Sequence, residues 1–338
     1  MVETGSKPIV TITGISGFIG SRICLDFLQS GEFHVRGTVR DKSNEAKIAP
    51  LRKAFGEHFE KLELVNADCL DAESLERAIS GSTYVVHTAS PFNFKDTREQ
   101  LIKVAVEGTM AVMKACLLAK VKRCVVTSSC MTIYFPRAED RPNIETEWLD
   151  ENCWSNPDRP GGIPGYAESK VKAERAAWSY HASLPEDEKF ELVTVLPCFV
   201  LGPSLLPGGF TSAEYIEAYF NGSKTKVGLD GRGVVDVRDV AKVHLEAVRR
   251  PGISGNRFIA YSQWTNSKDI ADVLHSEFGP QGYTIPTEEV EGTREKNHRV
   301  SNKKSKDTFG IEFIPASEAI KAMAQSLIDQ GVIKKIDS

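Results

Sequence analysis

The chain has 338 residues, of which 41% are hydrophobic and 26% are charged, and its formal net charge is −4. This balance is ordinary for a globular protein and gives no strong field for nucleic acid or an anionic membrane. The N-terminus lacks the pattern of a secretory signal, and no apolar run approaches the ~20 residues of a membrane span. The seven cysteines have neither CxxC nor zinc-finger spacing. We therefore expect a cytoplasmic protein with reduced thiols, no metal, and no nucleic-acid or membrane partner.

Short runs rich in valine, isoleucine and leucine alternate with amphipathic stretches over the first two-thirds of the chain. The predicted strands are 8–13, 33–39, 61–67, 83–89, 123–129 and 191–197, and the predicted helices are about 18–29, 44–55, 72–79, 98–119 and 165–183. This alternation predicts an α/β fold with a Rossmann-type, doubly wound parallel sheet. Segments 156–165 and 202–209 are rich in proline and glycine and are predicted loops. From about Gly252 the alternation weakens, so we expect a smaller mixed α/β lobe there.

The first predicted strand leads into a glycine-rich turn, TGISGFIG at 13–20, which opens the first helix. Gly14 permits the tight turn, Gly17 lets backbone amides approach a pyrophosphate, and Gly20 allows close helix–strand packing. The strand–turn–helix context is the one that a dinucleotide-binding motif requires. The predicted cofactor contacts of this turn are Gly14, Ser16, Gly17, Phe18, Ile19 and Gly20.

The end of the second strand distinguishes NADP from NAD. Arg40 is placed where a ribose 2′-phosphate would lie, and a planar guanidinium can bind phosphate through two hydrogen bonds. Lys47, about two helical turns further on, could add a second positive charge. Asp41 is the competing ligand, since its carboxylate could bind a ribose hydroxyl and favour NAD. We expect NADPH. Further cofactor contacts are predicted after the third, fourth and fifth strands, at Asp68, Cys69, Thr88, Ala89, Ser90 and Thr127.

A tyrosine and a lysine four residues apart, Tyr166 and Lys170, begin the helix that follows the fifth strand. This spacing places both on one helix face. A nearby ammonium is expected to lower the tyrosine pKa, and the lysine can also hold the nicotinamide ribose. The fifth strand ends in Ser128 and Ser129, where a serine hydroxyl could hydrogen-bond a substrate carbonyl. The glycine turn, serine, tyrosine and lysine, in this order, predict a hydride-transfer site.

With these motifs the chain resembles the extended short-chain dehydrogenase/reductase superfamily. It is most similar to the dihydroflavonol reductase / cinnamoyl-CoA reductase-like group, which includes anthocyanidin reductases and related carbonyl and aldehyde reductases. The matching segments are 13–20, 37–41, 86–92, 125–129, 151–157, 166–170, 196–203, 235–248 and 301–313. The resemblance implies that Ser129 is the catalytic serine, Tyr166 the general acid and Lys170 its partner. It also implies that Pro197 and Val200 lie beside the nicotinamide.

Three departures from the group's pattern bear on substrate and mechanism. Tyr134 replaces an asparagine that contacts the flavonoid in flavonoid reductases, which argues against a dihydroflavonol. The sequence GGIPGYAES at 161–169 replaces the NWYCY-type signature of cinnamoyl-CoA reductases, which argues against a thioester. The helix before the fifth strand has Ala105 to Thr109 where many relatives place a relay asparagine. Any proton relay is therefore expected to use water or the cofactor ribose.

The expected function is reduction of an aldehyde or ketone of a small, apolar or aromatic molecule by NADPH, in a monomer or homodimer. We assign residues 6–197, with about 234–262, to an NADP-binding Rossmann domain, and 198–233 and 263–338 to a substrate-binding lobe. The residues predicted to line the substrate pocket are Phe92, Phe94, Tyr134, Leu205, Leu206 and Phe210.

Two alternatives remain at this stage. One is a hydroxysteroid- or sugar-type dehydrogenase or epimerase of the same fold that uses NAD. The other is a non-catalytic redox sensor that binds NADPH and regulates a partner. The basic stretch 294–306 is interpreted as a solvated surface rather than a nucleic-acid site, because acidic residues interrupt it.

Overall fold

The computed structural model describes residues 7–89, 96–136 and 148–335, and within these ranges it contains ten strands and ten α-helices. The strands are β1 (Ile9–Thr13), β2 (His34–Val39), β3 (Leu62–Asn66), β4 (Tyr84–His87), β5 (Arg123–Thr127), β6 (Glu191–Pro197), β7 (Phe199–Leu201), β8 (Gly231–Asp236), β9 (Asn256–Ala260) and β10 (Gln263–Asn266). The helices are α1 (Phe18–Ser30), α2 (Glu45–Phe55), α3 (Ala72–Ile79), α4 (Arg98–Leu118), α5 (Gly165–Ser183), α6 (Thr211–Glu217), α7 (Val237–Arg249), α8 (Ser267–Phe278), α9 (Lys303–Phe309) and α10 (Ala316–Asp329).

Seven strands form a parallel sheet in the order β3-β2-β1-β4-β5-β6-β9. The predicted Rossmann-type fold is thereby confirmed. All seven strands end at the same edge, and the direction of strand progression reverses between β1 and β4. In an open α/β sheet, ligands bind in the crevice outside the carboxyl ends at this switch point. The sheet therefore directs the ends of β1, β4 and β5 toward one crevice.

The strands are hydrophobic because helices cover both faces of the sheet. On one face α1 packs against α7, and on the other α4 packs against α5. Val10 and Ile12 of β1 and Val125 of β5 are completely buried. Such two-sided burial explains why these strands appear in the sequence as near-continuous apolar runs rather than as alternating patterns.

A second, three-stranded sheet in the order β10-β8-β7 forms the core of the smaller lobe. Strand β8 pairs parallel with β7 and antiparallel with β10, so this sheet is mixed. Helix α10 packs against α6, α8, β7 and β8. Strand β9, which lies between β8 and β10 in the chain, belongs to the large sheet. The chain therefore crosses between the two sheets at each end of β9.

Within the ranges that the structure describes, no helix combines the length and apolar character that crossing a bilayer requires.

Candidate active site

The glycine turn after β1 has the conformation and close contacts that glycine alone permits. Gly14 has a positive φ of 74°. A Cβ atom there would lie 2.8 Å from the Cβ of Ala89, and one on Gly20 would lie 2.4 Å from the Gly14 carbonyl oxygen. The Gly14 amide donates to the Thr38 hydroxyl at 3.2 Å, which fixes the turn against the end of β2. At Gly14 and Gly17 the turn thus presents backbone without a side chain.

The start of α1 is suited to a phosphate group. Gly17 is the N-cap and provides no side-chain hydrogen bond, and the first turn contains no acidic residue. The first amides of a helix lack partners within the helix, and its dipole favours negative charge there. Ser16 and Gly17 are exposed, whereas Phe18 and Gly20 are buried. The pyrophosphate of a dinucleotide fits this end of α1.

Arg40 and Lys47, the two predicted phosphate ligands, are exposed cations that follow β2. Arg40 lies directly after the strand, and Lys47 lies in the first turn of α2. The competing carboxylate of Asp41 accepts hydrogen bonds from the hydroxyl of Ser43 at 2.6 Å and from its amide at 2.9 Å. These bonds lower the pKa of Asp41. Asp41 is thus engaged within its own turn, and the residues present fit a 2′-phosphate.

The next strand ends bring further predicted contacts to the same edge. Thr88 donates its hydroxyl to the Thr13 carbonyl at 2.6 Å, and the amides of Thr88 and Ala89 both donate to the Thr13 hydroxyl. Asp68 follows β3 and accepts from the Leu70 amide at 2.9 Å.

Two further predicted cofactor contacts, Thr127 and Cys69, lie partly or fully inside the protein. The Thr127 hydroxyl donates inward to Nε2 of His244 at 2.8 Å, because Nδ1 of that histidine donates to the Val240 carbonyl. Cys69 is buried, and burial raises the pKa of its thiol to about 12. Ser90 lies outside the described residues.

The structure brings Ser129, Tyr166 and Lys170 together. Ser129 caps the short 3₁₀ turn Cys130–Thr132 after β5 and accepts from the Met131 amide at 3.2 Å. Its side chain also hydrogen-bonds the Tyr166 hydroxyl. Tyr166 lies in the first turn of α5, and Nζ of Lys170 lies 5.6 Å from the centroid of the tyrosine ring.

An ion-pair group holds the first turn of α5 in place. The buried carboxylate of Glu168, two residues after Tyr166, pairs with Arg98 of α4 and with Lys172 at 2.6 Å. The helix start that presents Tyr166 is therefore tied to the neighbouring helix as well as to its own next turn.

The pKa of Tyr166 corrects the expectation from the sequence. Burial raises it to about 12, with a smaller contribution from Cys130, and the Ser129 hydrogen bond offsets only part of this. Burial also lowers the pKa of Lys170 to about 8. The predicted lowering of the tyrosine pKa by the lysine was wrong for the protein alone, since burial penalises both charged forms. Tyr166 is accordingly a neutral phenol near pH 7.

The two serines at the end of β5 have different partners. Ser128 donates its hydroxyl to a carboxylate oxygen of Glu174 at 2.6 Å, inside the protein. Ser129 instead faces Tyr166. Only the second serine is therefore directed toward the tyrosine.

A small internal cavity of about 20 Å³ lies behind Lys170. Its polar lining includes His87, Thr109, Thr127, Ser128 and Glu174. The volume suits one water molecule, and the lining offers several hydrogen-bond partners. His87 itself is buried and bonded to the Thr13 hydroxyl at 2.9 Å. Burial, followed by the charge of Lys170, lowers the pKa of His87 to about 4, so it is neutral.

Comparison with known proteins agrees with this geometry. The model of the NAD dependent epimerase/dehydratase family matches residues 10–259. Cinnamoyl-CoA reductase 1 of Petunia hybrida is 36% identical over 329 residues, covering 96% of this chain and 94% of the relative. Anthocyanidin reductase of Arabidopsis thaliana is 33% identical over 348 residues, with 99% and 98% covered. The chain belongs to the NAD dependent epimerase/dehydratase family.

This membership confirms the predicted place in the extended short-chain dehydrogenases/reductases, close to the cinnamoyl-CoA and anthocyanidin reductases. Among solved structures, yeast methylglyoxal/isovaleraldehyde reductase Gre2, complexed with NADPH, superposes with a TM-score of 0.78 at 26% identity. That alignment covers 96% of this chain and all of the yeast chain (100%).

The residues predicted to line the substrate pocket differ in how deeply the structure buries them. Tyr134 is buried, and its hydroxyl lies 3.3 Å from Sγ of Cys198. Leu206 is buried in the core, and Leu205 packs against it. Phe210 stacks on Phe18. Phe92 and Phe94 lie outside the described residues.

Sequence reasoning missed an aromatic neighbour of Tyr134. The ring of His298 stacks on Tyr134 with centroids 5.3 Å apart, and Trp264 meets the same histidine edge-on at 5.2 Å. His298 lies in the stretch 294–306, which was interpreted as solvated surface. That interpretation was wrong for His298, which is half-buried, and for Val300, which is fully buried beside Leu149. No local motif marks these residues, because their partners are distant in the chain.

Proposed function

We propose that this protein reduces the carbonyl group of a small, apolar or aromatic aldehyde or ketone with NADPH. The decisive observation is the hydrogen bond between Ser129 and the neutral phenol of Tyr166, with Lys170 one helical turn further along. This arrangement lies at the carboxyl edge of the sheet, beside the glycine turn. A serine donor, a phenol and a lysine are the groups needed to bind a carbonyl oxygen and protonate it.

The chain's own residues support NADPH as the cofactor. The uncapped, acid-free start of α1 suits the pyrophosphate, and Arg40 with Lys47 suits the 2′-phosphate. Pro197, the last residue of β6, and Val200, the middle residue of β7, would lie beside the nicotinamide. When bound, NADPH supplies the hydride that the protein itself lacks. The complex of the yeast relative with NADPH supports the same choice.

Each side chain of the triad, which consists of Ser129, Tyr166 and Lys170, has a defined part in the reduction. Tyr166 holds a proton on its hydroxyl and donates it to the carbonyl oxygen. Ser129 donates a hydrogen bond to the same oxygen and so stabilises the charge that develops there. Lys170, when protonated, stabilises the phenolate that remains and can hold the ribose hydroxyls. Because burial keeps Tyr166 protonated in the free protein, its hydroxyl has the proton that reduction of a carbonyl requires.

The side chains that the smaller lobe contributes to the site indicate the substrate class. Leu205 and Phe210, both only partly buried, supply aliphatic and aromatic surface there. The relatives named above act on a cinnamoyl thioester, an anthocyanidin and two aldehydes, all small molecules with a reducible centre. Buried Tyr134 and the GGIPGYAES segment argue against a flavonoid or thioester, so a simple aldehyde or ketone is the substrate we infer.

The test is oxidation of NADPH against a panel of aromatic and aliphatic aldehydes, ketones, coenzyme A thioesters and dihydroflavonols, with NADH in parallel. Tyr166→Phe should abolish turnover, whereas Tyr180→Phe, on the same helix but away from the triad, should retain it. Turnover that survives in Tyr166→Phe would overturn the proposed mechanism. NADPH binding without turnover of any carbonyl would favour a redox sensor, and NAD retained through purification would favour an epimerase.

A further inference from the structure

A buried ion pair joins α5, the helix of Tyr166 and Lys170, to strand β9. Glu174 on α5 is 2% exposed and Arg257 on β9 is 7% exposed. Nε of Arg257 donates to Oε1 of Glu174 at 2.8 Å, and a terminal nitrogen donates to Oε2 at 3.3 Å. Two parallel bonds of this kind fix the orientation of a guanidinium as well as its position.

Every N–H group of Arg257 is used. Besides the two bonds to Glu174, one terminal nitrogen donates to the carbonyls of Glu151 and Cys153, at 2.7 and 2.8 Å. The other also donates to the Thr132 hydroxyl at 2.8 Å. A guanidinium has five donors, and all five have partners. Its plane also lies over the Trp154 ring, 3.8 Å from the centroid.

The carboxylate of Glu174 also accepts hydrogen bonds from several other groups. Its carboxylate accepts from the hydroxyls of Ser128 and Thr194, at 2.6 and 2.9 Å, and from the Trp178 indole at 3.2 Å. Burial opposes its ionisation, but the charge and hydrogen bonds of Arg257, with those of the two hydroxyls, outweigh burial and lower the pKa of Glu174. The pair is therefore a charged unit at neutral pH.

These bonds reach both sides of the Ser129–Tyr166 contact. On the tyrosine side, Glu174 lies one turn after Lys170 and two turns after Tyr166 on the same face of α5. On the serine side, Ser128 is the adjacent residue, and the Thr132 hydroxyl that accepts from Arg257 donates to the Ser129 carbonyl at 2.8 Å. One charged pair thus connects the helix of the tyrosine to the backbone of the serine.

Arg257 also organises segment 151–157, to which the proposed reaction assigns no role. Arg257 holds the carbonyls of Glu151 and Cys153, and the next residues hold the serine turn. The Ser155 amide donates to the Thr132 carbonyl at 2.6 Å, and its hydroxyl donates to the Met131 carbonyl at 2.7 Å. The segment therefore supports the turn that begins at Ser129.

Stability alone is a weak reason for this arrangement. Removing two charges from water costs nearly as much as their attraction returns, and packed apolar residues are often at least as stable. Fixing geometry is the better explanation, because an error of about 1 Å in a catalytic group can reduce the rate by roughly a hundredfold.

We propose that Glu174 and Arg257 are positioning residues that set Ser129 against Tyr166 for the reaction. This inference rests on the proposed reductase function.

The decisive variant is Arg257→Lys, which keeps the charge and loses the planar fork. The chain offers a matched control in Arg123, which is also buried and also pairs with a carboxylate while donating to backbone carbonyls. It pairs with Glu191 at 2.6 Å and donates to the carbonyls of Ala247, Val248 and Arg250, at the opposite end of the sheet. Both lysine variants should lower Tm. Only Arg257→Lys should lower kcat, by about 10- to 100-fold, with the KM for NADPH changed less than about threefold. Equal losses of kcat in the two variants, or an unchanged kcat in Arg257→Lys, would overturn the proposal.

Crystal structures of the same proteins give a readout that needs no substrate. The proposal expects the Ser129–Tyr166 hydrogen bond to be broken or lengthened in Arg257→Lys and preserved in Arg123→Lys. An intact bond in both contradicts it, even if the wild type proves to reduce no carbonyl and the proposed function fails separately. If Arg257→Lys does not fold, Thr132→Val replaces it, since this change removes only the link from Arg257 to the Ser129 backbone. Its kcat should fall about 3- to 10-fold, and an unchanged value would again count against the proposal.

Discussion

Phe210 stacks on Phe18 with ring centroids 4.5 Å apart and planes within 5° of parallel. Phe18 is the first residue of α1, directly after the glycine turn, and Phe210 is the N-cap residue of α6 in the smaller lobe. The two rings therefore join the lobe to the segment that we propose holds the cofactor pyrophosphate. Any change that weakens this contact should therefore lower the affinity for the cofactor.

Phe210→Ala is expected to weaken NADPH binding. An aromatic pair contributes roughly 0.5–1.5 kcal/mol beyond its buried area, so the Kd for NADPH should rise about 2- to 12-fold. The measurement is a titration of NADPH fluorescence. The control is Phe33→Ala, which breaks the Phe27–Phe33 pair, centroids 5.2 Å apart, at the amino end of β2. The same Kd in both variants and the wild type would show that the stack has no part in cofactor binding.

The buried ammonium of Lys170 should produce a pH limit on the reaction. Burial lowers its pKa to about 8, so the free protein loses this charge as the pH rises above that value. We expect kcat/KM for NADPH to decline above about pH 8, since this ratio reports groups of the free enzyme. Tyr166, with a pKa near 12, should contribute no limb in this range.

Lys170→Arg tests the assignment of this limb. A guanidinium stays protonated, so the decline should disappear below pH 10 even though the absolute rate falls. Lys172→Arg, two residues further along α5 and exposed to solvent, should retain the wild-type profile. A decline at the same pH in Lys170→Arg would assign the limb to another group.

The larger part of the main sheet could be predicted because its signals are local. The predicted helices 72–79 and 165–183 and the strand 191–197 coincide with α3, α5 and β6. Two-sided burial makes such strands apolar throughout, and the glycines at 14 and 20 reflect contacts within one strand–turn–helix unit. The four-residue spacing of Tyr166 and Lys170 is a local signal of the same kind.

The lobe and the support of the triad could not be predicted in this way. Strand β7 has three residues and β10 has four, too few to establish a period. Arg257 lies 83 residues from Glu174 and 125 from Thr132, so only the fold brings them together. The pKa of Tyr166 also depended on burial rather than on its four-residue spacing from Lys170.

Arg40→Ala should change the choice of cofactor. Arg40 and Lys47 are exposed, and the Asp41 carboxylate is occupied by Ser43. Loss of a bidentate phosphate contact typically costs about 1.5–3 kcal/mol, so the KM for NADPH should rise about 10- to 160-fold while that for NADH stays nearly constant. Steady-state kinetics with both cofactors measure this ratio. Arg52→Ala, on α2 but paired with Glu45, is the matched control. Equal increases in KM for NADPH and NADH would mean that Arg40 does not bind the 2′-phosphate.

Asp239→Asn should stabilise the protein at neutral pH. Burial raises the pKa of Asp239 to about 6, and Asp236 adds to the effect, although the Ile314 amide donates to the carboxylate at 2.7 Å. The folded state therefore prefers the protonated acid, whose ordinary pKa is 3.8. Its contribution to stability is complete below about pH 4 and is lost as the pH rises through about 6, a difference of up to about 3 kcal/mol. Asparagine is neutral at every pH and still accepts from the Ile314 amide. The Tm of Asp239→Asn should thus exceed that of the wild type by a few degrees at pH 7.5 and converge with it near pH 4. A variant that is less stable at pH 7.5 would show that the ionised carboxylate, through Lys242 and Arg238, stabilises the fold.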